Sequence, residues 1–198
     1  AMDAAAANGG LSQSVGGQTR PGCVSIMTVH RSKGLEFPVV FVADTDHKFN
    51  QSDAIRPVLT HSRLGVGVML RAPRAAKRFK TLPYAALAQA IRTETLSEEM
   101  RVLYVALTRA QDALIITVPL KKTASALKTP ALCAAAEATG SESMRSMGSW
   151  AGWILTAAML HPDSDALWGY TSFLPHHRPT EVPLTIRLVA LPENAEQP

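Results

Sequence analysis

"SIMTVHRSKGLEFPVVFV", residues 25–42, sets two apolar runs on either side of a polar turn. The first run, "CVSIMTV" at 23–29, and the second, "PVVFVAD" at 38–44, are short and rich in β-branched residues, the pattern of strands buried on both faces. Between them "HRSKGLEF" reads as a loop at one sheet edge, where α/β proteins place their ligands. A third run, "ALIITVPL" at 113–120, follows a helical stretch. The order strand, strand, helix, strand predicts an α/β layer fold.

The helical stretch is residues 84–110, where helix formers dominate and neither Pro nor Gly occurs. Ser97 followed by Glu98 and Glu99 resembles a capped start with acids in the first turn, which predicts a break near Ser97. Beyond it Met100, Leu103, Tyr104 and Leu107 recur at a spacing of three and four, a core-facing stripe with Arg101 and Thr108 off its centre.

Outward from this centre the pattern weakens. Residues 1–22 are small, polar and glycine-rich, and read as a flexible segment. Residues 45–81 lose their period around Pro57, Gly65, Gly67 and Pro73 and end in the basic run "RAPRAAKRFK", an irregular insertion with a solvated face. Past residue 120, an alanine-rich stretch at 131–138 and a Trp150–Trp153–Ile154–Ala157–Leu160 stripe read as helices joined by a polar link. "HPDSDALWGYTSFLPHHRP" at 161–179 reads as a connector, and "VPLTIRLVAL" at 182–191 as one late strand.

Composition bounds what this unit can be. With 198 residues, 46% hydrophobic and 18% charged, the chain supports one globular unit with a real core. Two distant cysteines, Cys23 and Cys133, supply neither a disulfide framework nor a zinc cluster, so a reducing, cytoplasmic setting is expected. No apolar run reaches the roughly 18 residues of a membrane span. A net charge of +4 permits a polyanion partner without demanding one.

Two places carry chemistry. In the 25–42 segment Gly34 permits a sharp turn, and Thr28 and His30 offer hydrogen bonds and a flat ring to a phosphate or base. The plainer account leaves Lys33 and Glu36 solvated and His30 satisfied by a carbonyl. In "SEEMRVLYVALTRAQDALIIT", residues 97–117, Thr108 and Arg109 close a helix just before a strand. An arginine fixed there can project its planar fork at a phosphate across a cleft, or simply complement the helix dipole. No G-x-x-x-x-G-K-[ST] run and no H-E-x-x-H pair occurs, so the chain carries no evident phosphate cradle or metal site. The cations Arg71, Arg74, Lys77, Arg78 and Lys80 can follow a nucleic-acid backbone, with Phe79 and Tyr84 near enough to stack on bases. A solvated face is the plainer account of them.

Together the two segments resemble the UvrD/Rep-type superfamily 1 DNA helicases: "VSIMTVHRSKGLEFPVVFV" looks like their motif V and "EEMRVLYVALTRAQDALIIT" like their motif VI. Phe49–Asn50 and the "LGVG" at 64–67 look most like the AddA or RexA group of bacterial helicase-nucleases. The resemblance spans residues 23–118. It implies an α/β fold, namely part of the RecA-like (P-loop NTPase-like) lobe 2A over 23–120. The 45–81 insertion interrupts that lobe, and 121–198 form a helical extension and linker towards a possible nuclease domain. By match to motif V, Thr28, His30 and Lys33 would bind DNA, Lys33 and Gly34 would shape the loop, and Gly34 and Glu36 would lie at the ATP site, with Glu36 contacting the nucleotide sugar or coupling the two sites. By match to motif VI, Arg109 would be the arginine finger on the γ-phosphate, supported by Glu99, Arg101, Tyr104 and Thr108.

The resemblance further implies a parent that uses ATP and Mg²⁺ to translocate on and unwind DNA in double-strand break repair and recombination. Single- and double-stranded DNA, the first helicase lobe and an AddB- or RexB-like protein would be its partners, and no membrane is involved. The fragment alone is expected to be inactive and to hold no cofactor. Two rival expectations are a non-catalytic helicase-like scaffold and a free-standing single-strand-binding module built on the basic run.

Overall fold

The computed structural model describes residues 23–71, 77–136 and 141–190. The second apolar run forms strand β1 (Phe37–Val42) and the third forms β5 (Ala110–Ile116), paired in parallel with Val40 opposite Leu114 and Val42 opposite Ile116. Between them lie β2 (Val58–His61), β3 (Gly65–Arg71) and β4 (Arg78–Lys80), an antiparallel sheet in the order β2-β3-β4, and then the long helix α1 (Leu82–Leu107). The architecture is therefore mixed α/β, with one parallel and one antiparallel sheet.

The first apolar run departs from expectation. Residues 23–28 form no strand, and Val24 and Ile26 are 91% and 87% exposed. β-branched side chains favour extended backbone, but a strand exists only where a neighbour pairs its N–H and C=O groups. Among the described residues the parallel sheet offers only two strands, and they pair with each other. For the same reason the two strands that do form are not buried on both faces: Val39, Phe41, Leu114 and Ile115 remain substantially exposed.

The expected irregular insertion contains the second sheet. Gly65, at φ +84, closes the β2–β3 hairpin in the left-handed region that a Cβ disfavours. His61 fixes the same turn: its Nδ1 accepts from the N–H groups of Arg63 and Leu64, and its Nε2 meets Glu94 of α1 at 3.0 Å. One sheet face packs on α1, where Leu59 and Met69 join Tyr84, Leu87 and Ala88. Gly67 lies so close to the helix that a Cβ there would stand 2.8 Å from Tyr84 Cα.

Helix α1 is continuous through Ser97, where a break was expected, and ends at Leu107 rather than running to Ala110. It starts at Thr81, whose hydroxyl accepts from the Tyr84 N–H. Inside the helix the hydroxyls of Thr93, Thr95 and Ser97 each donate to the carbonyl four residues back, so Ser97 is satisfied without interrupting the ladder. Glu98 pairs with Arg101 one turn on. Of the anticipated stripe, Leu103 is buried and Leu107 half-buried, but Tyr104 is 67% exposed.

The C-terminal part is better built than its sequence suggests. Helices α2 (Thr123–Ala135), α3 (Ser141–Arg145), α4 (Trp150–Met159) and α5 (Asp165–Trp168) occupy it. Thus α3 lies in the expected link and α5 in the expected connector. Leu127, Ala131, Leu155, Met159, Leu167 and Trp168 form one core cluster. A second joins the two halves: Phe49, Leu103, Cys133, Met147 and Trp153 bury together, with the Phe49 and Trp153 rings 4.8 Å apart. Residues 182–190 form no strand. They form an irregular segment, held in part where Val182 O meets His161 Nε2 at 2.8 Å and where Ile186 packs on the first cluster. The flexible segment expected at 1–22 and the end of the helix expected at 131–138 lie outside the described residues, as does Arg74.

Candidate functional site

The polar loop between residue 28 and β1 is a compact turn. The Thr28 carbonyl accepts from the N–H groups of Arg31 and Ser32, the Ser32 hydroxyl donates to Val29 O at 2.8 Å, and Leu35 N–H returns to Ser32 O at 3.0 Å. Ser32 is thereby the buried pin of the turn, while Thr28, His30, Lys33 and Glu36 are exposed around it. Gly34 completes the turn at φ +81 with open space where a side chain would sit, so its need for glycine is conformational and not steric.

Arg109 meets this turn from a distant part of the sequence. Helix α1 stops at Thr108, whose hydroxyl donates back into the helix at Tyr104 O. The next residue turns the chain into β5. The Arg109 guanidinium is bracketed there: Nε donates to Val105 O at 2.9 Å, Nη1 to Leu35 O at 2.8 Å and Nη2 to Thr108 Oγ1 at 3.0 Å. Its own carbonyl accepts from Phe37 N–H at 2.9 Å. Arg109 thus grips the chain on both sides of Glu36. All three acceptors of the guanidinium are uncharged, and a guanidinium offers five N–H donors, so the fork keeps its positive charge and two further donors for an anion.

Glu36 is held by a residue that its sequence context does not single out. Gln111 Nε2 donates to Glu36 Oε2 at 3.1 Å. The sequence signal is indirect: Pro38 inside a strand pattern marks a ladder with a missing donor.

The remaining predicted positions fall elsewhere. Glu99 accepts from Trp150 Nε1 at 3.1 Å and so ties α1 to α4, away from the Arg109 turn. Arg101 and Tyr104 are exposed on α1. The pleat separates the basic run from its proposed stacking partners. Phe79, opposite Leu70, shares the open sheet face with Val58, Val66 and Val68, whereas Arg71, Arg78 and Lys80 belong to the opposite parity. Tyr84 is buried in the core and cannot stack on a base. Lys77 is exposed just before β4. Among the described residues no group of three or more His, Cys, Asp or Glu can hold a metal ion, and no helix is long and apolar enough to cross a membrane.

A family model, the UvrD-like helicase C-terminal domain, matches residues 9–121, which include the turn, Glu36 and Arg109. The chain belongs to this family. Similar proteins include an ATP-dependent helicase/nuclease subunit from Ruminiclostridium cellulolyticum, 50% identical over 94 residues, 48% of this chain and 8% of that protein. Its namesake from Lactiplantibacillus plantarum is 34% identical over 154 residues, 77% of this chain and 12% of that protein. The one from Moorella thermoacetica is 39% identical over 148 residues, 73% of this chain and 10% of that protein. The aligned region is thus a small part of each relative, while the identity extends from the family domain into the helical part.

Proposed function

We propose that this chain supplies the nucleotide-sensing half of a helicase cleft in a longer ATP-dependent DNA helicase/nuclease, as part of a RecA-like second lobe. The observation that carries the reading is the Arg109 guanidinium, uncompensated by any carboxylate among its bonded partners and fixed by three hydrogen bonds beside Glu36. An arginine whose fork is already oriented stabilises the charge that develops on a transferring phosphoryl group without reorganising during the reaction. Arg109 is the residue that touches the γ-phosphate, Thr108 fixes its fork, and Glu36 accepts from the nucleotide sugar beside Gly34. Thr28, His30 and Lys33, exposed around the Ser32 pin, face single-stranded DNA.

The tie from Arg109 to Leu35 O gives the two ligands a common mechanical element. A shift of the 28–34 turn on DNA moves the carbonyl that orients the arginine. A nuclease activity belongs to this reading of the longer protein through its relatives' names, and break repair and an AddB-like partner belong to it through the motif resemblance alone. Arg71, Lys77, Arg78 and Lys80 are a secondary candidate for DNA backbone contact, without base stacking by Tyr84. The Mg²⁺ that accompanies ATP finds no cluster of ligands among the described residues.

The test is DNA-stimulated ATP hydrolysis by the longer protein with Arg109→Ala, alongside ATP binding. Loss of a transition-state arginine lowers kcat by about 10²-fold or more while ATP still binds. Normal turnover by the variant makes Arg109 a structural helix-end residue and overturns the assignment.

A further inference from the structure

The β1–β5 ladder is irregular at one place. Phe37 faces Ala110 and Val39 faces Ala113, so Gln111 and Asp112 together stand opposite the single residue Pro38. Proline has no N–H to give the ladder, and a bulge is the way a sheet absorbs such a gap. Bulges also re-aim the side chains they carry. Here the bulged strand directs Gln111 at Glu36, two residues before the proline on the facing strand, with Nε2 3.1 Å from Oε2. A carboxylate only accepts hydrogen bonds, so the amide group that faces it is the NH₂.

We propose that Gln111 is a positioning residue for Glu36: the bulge opposite Pro38 turns its amide onto one carboxylate oxygen and so fixes the other for a sugar hydroxyl of the bound nucleotide. The inference rests on the reading of Glu36 given above. An exposed glutamate loses considerable rotamer freedom when it is ordered, and a residue that orders it in advance spares the ligand that cost. Gln111 also precedes Asp112 on the strand that begins just after Arg109, so the sugar contact and the phosphate contact are held by one short segment. The ligand class is a ribonucleoside triphosphate, and the feature read through Gln111 is its sugar.

The experiment measures kcat/KM of the longer protein for ATP, 2′-deoxyATP and 3′-deoxyATP, with wild type, Glu36→Ala, Gln111→Ala, Gln111→Glu and Gln111→Lys. Wild type discriminates against at least one deoxynucleotide, and Glu36→Ala abolishes that discrimination. Gln111→Ala reduces it several-fold, chiefly through KM, and Gln111→Glu reduces it further by facing the carboxylate with a like charge. Gln111→Lys, which keeps a donor for Glu36, restores it. A merely structural Gln111 would lower activity towards all three nucleotides equally. If Glu36→Ala loses discrimination and Gln111→Ala keeps the wild-type ratio, this inference is wrong and the reading of Glu36 stands. If wild type treats the nucleotides alike, or Glu36→Ala keeps the wild-type ratio, the reading of Glu36 falls and takes this inference with it.

Discussion

Gly34 and Gly67 need glycine for opposite reasons, and alanine at each separates backbone strain from crowding. At Gly34 the space is open but φ is +81, so Gly34→Ala costs about 1–2 kcal/mol, the penalty of a left-handed alanine. At Gly67 a Cβ meets the backbone of Tyr84 at 2.8 Å, and neither β3 nor the start of α1 can yield as a flexible side chain would. Gly67→Ala costs about 1–3 kcal/mol through overpacking. Denaturant unfolding of the two variants checks both figures. The readouts also differ in place: Gly34→Ala loosens the turn that carries His30 and Lys33, whereas Gly67→Ala separates the small sheet from α1. Arg109 belongs to the same scale. Its place at a helix end just before a strand was legible in the sequence, but its grip on Leu35 O and Phe37 N–H was not, because those partners lie more than seventy residues away in sequence.

At the scale of elements, α1 decides between two accounts of the same residues. Were Ser97 a cap, Glu98 would be the first helical residue, the position where proline is tolerated. In a continuous helix Glu98→Pro removes a hydrogen bond to residue 94, clashes with that carbonyl and costs about 3 kcal/mol. A loss of that size in thermal or denaturant unfolding supports the single helix, and near-neutral behaviour supports two. Hydroxyl side chains that bond back to the i−4 carbonyl make Thr93, Thr95 and Ser97 compatible with either account on local grounds. Packing decides: α1 carries Leu87 and Ala88 on the small sheet at one end and Leu103 on the Trp153 cluster at the other.

At the scale of the whole molecule, burial is uneven. The second cluster, where Phe49 and Leu103 meet Met147 and Trp153, links the α/β part to the helical part. Trp153 is 3% exposed, donates its Nε1–H to Met144 O, and stacks at a tilt on Phe49. Trp153→Ala costs about 3–5 kcal/mol. Phe41, by contrast, is 65% exposed on β1, and Phe41→Lys in this chain changes stability by no more than about 0.5 kcal/mol. Comparing the two unfolding midpoints tests whether the linking cluster, and not the parallel sheet, holds the molecule together. A large loss from Phe41→Lys would mean that this face is covered in solution.

Short-range pattern settled much of this protein in advance. The runs at 38–44 and 113–120 marked two strands, helix-forming composition marked α1, and the stripe from Trp150 marked α4. Resemblance to motifs V and VI, and not spacing, marked the two segments that the family match covers. The runs, the helix composition and the stripe are properties of neighbouring residues, and local pattern records them. Tertiary structure alone decided that residues 23–28 join no strand among the described residues, that Ser97 does not break its helix, and that Trp168 belongs to the core. It also placed Phe79 on the opposite face from Arg78 and Lys80, and set Gln111 on Glu36. Each of these depends on what a distant segment offers, such as a strand edge, a packing surface or a carboxylate, and no local pattern encodes whether that segment arrives.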